Sequence, residues 1–210
     1  MKTIVFNGAG AGLQPTNLVA LLDNGVLVAE TVLTGRGASE HFAPTLRSLL
    51  REVEETTGQA FVPDKVVAVV GPGSFTGLRA SLALAAGIAA GHNCPAVGVT
   101  LGAALRSTIG RSDVVCVSVA RRGRFFIDPP NGPVFASQED ALDASSWGAV
   151  MGDAVDGGRT WPCPSFPVLA PSALGIVRAS ECDATHALSP LYVDPPEAKP
   201  PAAGLRPAPV

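Results

Sequence analysis

The chain has 210 residues, 47% of them hydrophobic, enough to bury a substantial core in one large domain or two small ones. A formal net charge of −3 argues against a protein whose main task is gripping nucleic acid, because phosphate binding needs a basic face. The four cysteines, Cys94, Cys116, Cys163 and Cys182, form no CxxC pair and have no histidine at metal-finger spacing, so free thiols in a reducing cytosol are expected. Met1 to Asn7 enters a strand at once, without the apolar stretch and small-residue cleavage site of a signal peptide, and the run Ala80 to Gly91 is too short to span a bilayer. A cytoplasmic protein with no membrane contact is the expectation.

Along the chain, Ile4–Phe6 reads as a short strand, and Leu18–Leu22 and Val26–Leu33 as two more, joined at Asp23-Asn24-Gly25, a hairpin turn that supplies positive φ cheaply. Phe42, Leu46, Leu49, Leu50 and Val53 then recur on one helical stripe while Arg47, Arg51, Glu52, Glu54 and Glu55 lie off it. Pro44 is expected in the first turn of that helix and Gly58 at its end. Val66–Val70, five apolar residues of which four are β-branched, reads as a strand covered on both faces. Gly71 and Gly73 permit a tight turn after it, and Thr76 is placed to cap a small-residue helix running to Gly91. A strand at Ala96–Val99 and a helix at Leu101–Ile109 complete the order of a ribonuclease-H-like half.

The second half reads as a degraded copy of the first. Val114–Val119 is a strand that Phe125–Ile127 can pair with across Arg121-Arg122-Gly123, and Asn131-Gly132 is another turn signal. A short helix near Gln138–Ala144, strands near Ala149–Met151 and Val168-Leu169, and a helix over Ser172–Ala179 follow. The last twenty-one residues hold seven prolines and are expected to be extended on the surface. The implied fold is α/β, two ribonuclease-H-like lobes with mixed sheets flanked by helices, as in the actin-like ATPase (ASKHA) superfamily. The lobes are expected at residues 1–105 and 106–189, with a Pro-rich segment at 190–210.

The string from Gly71 to Arg79, GPGSFTGLR, followed by the small-residue helix and by Pro95-Ala96-Val97-Gly98-Val99-Thr100, resembles the signature of the TsaB (YeaZ) family. Ser39 to Pro44 is similar to the start of that family's first helix and Leu191 to Pro200 to its closing segment, whereas Arg106 to Ser189 is similar only weakly. The resemblance implies a non-catalytic subunit that partners TsaD in forming threonylcarbamoyladenosine in tRNA. It also implies contact with TsaE through the complex, a homodimer when TsaD is absent, only indirect contact with tRNA, and ATP or ADP only at the complex with TsaD. The partner interface it implies lies on the two helices, at Phe42, Leu46, Leu49, Leu50, Leu78, Leu82, Ala83 and Gly87. The alternative is that both helices simply cover their own sheet. If Leu82 faces the interface, Leu82→Glu abolishes partner binding and leaves the fold intact.

Catalytic motifs are thin. Where the family usually places an acidic residue after the first strand, this chain reads Asn7-Gly8-Ala9-Gly10-Ala11-Gly12, and a neutral amide cannot supply the charge a hard cation prefers. The glycines do not satisfy GxGxxG before a helix, so a flexible loop is favoured over a phosphate cradle. His41, His92 and His186 cannot share a helical face, so no metal site is expected. Gly71, Gly73, Ser74, Thr76 and Arg79 form a candidate turn or anion site, since a strand–turn–helix leaves amides unpaired. Ser74 and Thr76 read as turn and cap residues rather than nucleophiles. Arg79 is placed either to pair with an anion or acidic partner or to be solvated. Arg121, Arg122 and Arg124 read as a solvated hairpin in preference to a tRNA-facing patch. Two other readings stay open: a kinase or ATPase of the same fold binding nucleotide between the lobes, and a self-associating module that has left tRNA modification.

Overall fold

The computed structural model describes residues 1–12, 14–34, 37–182 and 187–193. The first sheet has the order β3-β2-β1-β4-β5, with β1 at Lys2–Asn7, β2 at Pro15–Asp23, β3 at Val26–Thr34, β4 at Lys65–Gly71 and β5 at Ala96–Thr100. β1, β2 and β3 pair antiparallel, and β4 and β5 extend the sheet parallel to β1. The second sheet, β10-β9-β6-β7-β8, repeats that order. Its strands are β6 at Val115–Val119, β7 at Arg124–Asp128, β8 at Phe135–Gln138, β9 at Val150–Met151 and β10 at Ser165–Phe166. Three antiparallel strands followed by two parallel ones, twice over, establish the two ribonuclease-H-like lobes.

Helices α1 (Ala38–Thr57) and α2 (Phe75–His92) cover one face of the first sheet, and α3 (Leu101–Ile109) and α4 (Ala173–Ala179) cover the other. The main core runs through this stack into the near face of the second sheet at Cys116 and Met151. The α3–α4 pair is close because Gly175 has no side chain: a Cβ there would stand 2.0 Å from Thr108 Oγ1 and 2.9 Å from the Ala104 carbonyl oxygen. The far face of the second sheet has no α-helix among the described residues. A smaller cluster that includes Val117, Phe125, Leu142 and Trp161 covers it, with Arg159 5.0 Å from the Trp161 ring.

Several expectations need correction. No helix forms at Gln138–Ala144: Gln138 pairs with Arg124 in the β7–β8 ladder, and the Glu139 amide extends that pairing to the Gly123 carbonyl. The strand expected at Val168-Leu169 lies at Ser165–Phe166, and the Val168 amide turns back onto the Phe166 carbonyl. Pro44 sits in the second turn of α1, because the helix already starts at Ala38. The boundary expected at residue 105 falls inside α3, which packs on both sheets. His186 and residues 194–210 lie outside the described residues.

One buried ion pair ties the halves together. Arg106 on α3 donates to Asp128 Oδ1 at 2.8 Å, and to the carbonyl oxygens of Asp128 at 2.9 Å and Val114 at 3.3 Å. The other carboxylate oxygen, Oδ2, accepts from the Gly102 amide at 3.0 Å, in the first turn of α3. Both side chains are nearly enclosed, at 12% and 5% exposure, so each charge depends on the other for solvation. Asp128→Ala is expected to cost about 3–5 kcal/mol, because it leaves a guanidinium enclosed without its counter-charge. Urea unfolding measures this, and a loss below about 1 kcal/mol would show that water replaces the carboxylate.

Candidate functional site

The conspicuous sequence lies where β1 and β4 end beside the start of α2. Asn7 is buried, and both its polar atoms serve its own loop: Nδ2 donates to the Thr16 carbonyl at 2.7 Å and Oδ1 accepts from the Ala9 amide at 3.1 Å. Asn17, also buried, accepts from the Gly10 amide at 2.8 Å and donates to the Gly10 carbonyl at 3.2 Å. Three of these side-chain hydrogen bonds pin Ala9 and Gly10 and the fourth ties Asn7 to Thr16, where a slack loop was expected.

That loop docks backbone to backbone on the first turn of α2. A Cβ at Gly8 would lie 2.4 Å from the Gly77 carbonyl oxygen, one at Gly77 the same distance from the Gly8 carbonyl oxygen, and one at Gly73 2.2 Å from the Ala9 carbonyl oxygen. Gly71 has φ +123, which serves the turn, whereas Gly73 is needed for close approach. The Ser74 amide donates to the Ala9 carbonyl at 2.7 Å, and the Gly77 amide donates to Ser74 Oγ at 3.2 Å. Ser74 is thus the helix cap, and Thr76, expected in that role, lies exposed within the helix. Two of the amides expected to face an anion are spent inside the chain, which favours the turn reading of Gly71, Gly73, Ser74 and Thr76.

Arg79 is engaged by a segment from the far end of the chain. Its Nε donates to the Tyr192 hydroxyl at 2.6 Å, and its guanidinium lies 3.8 Å above the Phe75 ring, whose centroid is 5.6 Å from that of Tyr192. The Leu191 amide donates to the Val70 carbonyl at 2.8 Å, and Leu191 packs over Gly71. The C-terminal segment therefore straps the β4–α2 turn. Tyr192 was missed as a site residue; the likeness of Leu191–Pro200 to a family closing segment was the available signal.

Phe42, Leu46, Leu49, Leu78 and Leu82, expected at a partner interface, are 1–4% exposed and form the core beneath the helices. Leu50 is half-buried, and Ala83 and Gly87 are exposed. The expectation for Leu82→Glu changes accordingly: at 3% exposure it would bury an unpaired charge and destabilise the fold. The exposed row of α2 is Phe75, Thr76, Arg79, Ala83, Ala86, Gly87 and Ala90. Arg121 is exposed on the β6–β7 hairpin, and Arg122 forms its left-handed corner with φ 62. In the second lobe Asp153 accepts from the Val119 amide at 2.8 Å, and burial pushes its carboxyl up. Burial also raises the Cys116 thiol well above its ordinary value. His41 and His92 are exposed on separate helices, and no three His, Cys, Asp or Glu side chains among the described residues gather as a metal site.

Gly8→Ala and Gly73→Ala are each expected to lose about 1–3 kcal/mol or more, since a backbone must move to admit the methyl group. Gly87→Ala, with nothing within 4 Å, is expected to be neutral or to gain up to about 1 kcal/mol of helix stability. Thermal unfolding of the three variants checks the order. Arg79→Ala is expected to cost less than about 1 kcal/mol, since the cluster is exposed. Faster hydrogen exchange at the Leu191 amide would show that the strap has loosened.

Residues 32–127, which include all of α1, α2 and α3, match the family model described as TsaD, tRNA N6-adenosine threonylcarbamoyltransferase. The Mycobacterium tuberculosis protein Rv3421c and the Mycobacterium bovis protein Mb3455c are each 32% identical to this chain over 183 residues, covering 83% of both partners. Among solved structures, a Pseudomonas aeruginosa protein with similarity to peptidase YEAZ superposes with TM-score 0.68 at 18% identity, over 92% of this chain and 99% of that one. YeaZ from Pseudomonas aeruginosa superposes with TM-score 0.62 at 18% identity, over 86% and 90%. The chain belongs to one family with the mycobacterial protein Rv3421c, and its fold is that of YeaZ.

Proposed function

We propose that this chain is a TsaB-like subunit, without catalysis of its own, that docks on a TsaD-family protein through the exposed row of α2 and the adjoining surface of α1. There it supports threonylcarbamoyl transfer to the adenosine beside the tRNA anticodon. The YeaZ fold and the TsaD-family match over residues 32–127 support a role in tRNA modification. The observation that carries the docking reading is the exposed row of α2. Across all turns of an 18-residue helix it presents Phe75, Thr76, Ala83, Ala86, Gly87 and Ala90 with a single charge, Arg79. Solvated helix faces normally carry many charges, whereas a flat face of small residues lets a partner helix approach closely and bury its own side chains.

The neighbouring turn of α1 adds Ala43, Pro44, Arg47 and Ser48 around a shallow depression. On this reading TsaE joins through the complex, tRNA is touched only indirectly, and a homodimer uses the same face when TsaD is absent. ATP or ADP then belongs to the complex, and the setting is the cytoplasm. Asn7, with both polar atoms spent on its loop, supports a subunit with no nucleotide site of its own.

Ala86→Arg places a bulky charge on the exposed row without touching the core. It is expected to weaken binding to the TsaD of the same organism at least about thirty-fold, with an unchanged unfolding temperature. Calorimetry measures the first and a thermal melt the second. Depletion of the chain should lower threonylcarbamoyladenosine in tRNA, and a stable level together with no complex would overturn the reading. Magnesium-ATP titrated into the isolated chain is expected to give no micromolar binding, and tight binding would favour the kinase or ATPase alternative.

A further inference from the structure

β3 is the free edge of the first sheet, and among the described residues it pairs with β2 alone. Directly opposed residues on neighbouring strands share a face. On β2, Leu18, Ala20 and Leu22 alternate onto one face, and their partners on β3 are Val32, Glu30 and Leu27. The register shifts between the Leu21–Ala29 and Leu22–Leu27 pairs, which leaves Val28 unpaired as a bulge between Leu27, on Glu30's face, and Ala29, on the other. Leu27, Val28 and Val32 are 40%, 41% and 49% exposed. A sheet protects a free edge with charges, prolines or bulges. Here the bulge guards the hairpin end, while residues 29–34 offer an open ladder, apolar side chains and one charge, Glu30.

Beside Glu30, the sheet and the α3–α4 pair border an open pocket of about 220 Å3, lined by Leu18, Val32, Thr108 and Pro171. Partial enclosure pushes the Glu30 carboxyl up, and the Ala173 amide pulls the other way. No ion pair of the described residues supplies it with a cation.

We propose that β3 accepts an added strand from a partner protein, an extended segment with an arginine or lysine opposite Glu30 and apolar residues two positions to either side. The backbone ladder would give affinity, the Leu27 and Val32 flanks would take the apolar residues, and the carboxylate would set register and select the sign of charge. A second copy of β3 fits poorly. Two-fold antiparallel pairing centred on Glu30 or Thr31 would set the two Glu30 carboxylates directly or diagonally opposite on one face, with no cation between them. The site lies on the α4 side of the sheet, away from α1 and α2, so its occupation is independent of the proposed TsaD contact.

The test is hydrogen exchange by NMR on the full chain with a blocked seven-residue peptide that alternates threonine and valine around a central arginine. The expected result is new protection of the alternate amides within residues 29–34 that do not donate to β2, with affinity about ten-fold above that of the same peptide with central glutamate. Glu30→Lys should reverse the preference. Glu30→Gln, which keeps the shape, should abolish it and carries the test if the lysine variant does not fold. Equal binding of the two peptides, binding of neither, or protection confined to other strands overturns the proposal. So does protection of those outward amides without peptide: if it rises with protein concentration, a second copy holds the edge, and if it is independent of concentration, another segment of this chain holds it.

Discussion

The arrangement turns on the contact between the β1–β2 loop and the first turn of α2, made backbone against backbone. Gly8, Gly73 and Gly77 have no side chains to hold the two segments apart, and the Ser74 amide is bonded to the Ala9 carbonyl across the junction. This matters because α2 has little amphipathic signal of its own. Its buried residues, Leu78, Ser81, Leu82, Ala85 and Ala89, and its exposed row are both small or apolar, so burial alone selects its rotation weakly. The interlock fixes where the helix begins and hence which row faces out. α1 needs no such device, because its buried Phe42, Leu46, Leu49 and Val53 lie opposite a charged face.

The two lobes share a strand order but are finished differently. The first carries two long helices on its outer face, and the second closes its outer face with loop residues, among them Trp147 stacked on Trp161 with centroids 6.2 Å apart. Strands β9 and β10 are correspondingly short, at two residues each. The second lobe therefore leans on the first: α4 comes from the second half of the chain yet packs on α3 and the first sheet. Arg106 and Asp128 then close the join from the other side of α3.

What could be read from the chain alone follows from the range of the interactions involved. Hairpins at Asn24-Gly25 and Arg122-Gly123 were legible because positive φ is a local demand, and both corners have it. The α1 stripe was legible because its period is local too, and Gly58 ends that helix with φ 70 as expected. The side of the helices that would meet a partner was not. The most apolar residues of a helix go to its own core first, so a leucine stripe points inward and the outward row proposed to meet a partner is rich in alanine and glycine, which carry little signal. Contacts across long separations had no sequence signature: Arg79 with Tyr192 spans 113 positions and Arg106 with Asp128 spans 22. Ser74 and Thr76 are chemically equivalent caps, and the point where the backbone turns decided between them.

The first sheet is thus used on three sides, each with a different logic. Its α1–α2 face is closed to water, and the layer above it offers a smooth apolar row suited to a helix. Its α3–α4 face is closed by the second lobe, through close packing at Gly175 and the Arg106–Asp128 pair. Its β5 end is a short strand between two helices, whereas its β3 end is a nine-residue strand with exposed valines and a lone carboxylate. A helical layer is specified by shape and a strand edge by hydrogen bonds and register, so the partners proposed for the two surfaces would be selected by different chemistry and need not compete. With the cleft turn filled by the chain's own backbone, the surfaces proposed for recognition lie at the periphery, and the strap of Leu191 and Tyr192 extends that periphery to the N-terminal end of α2.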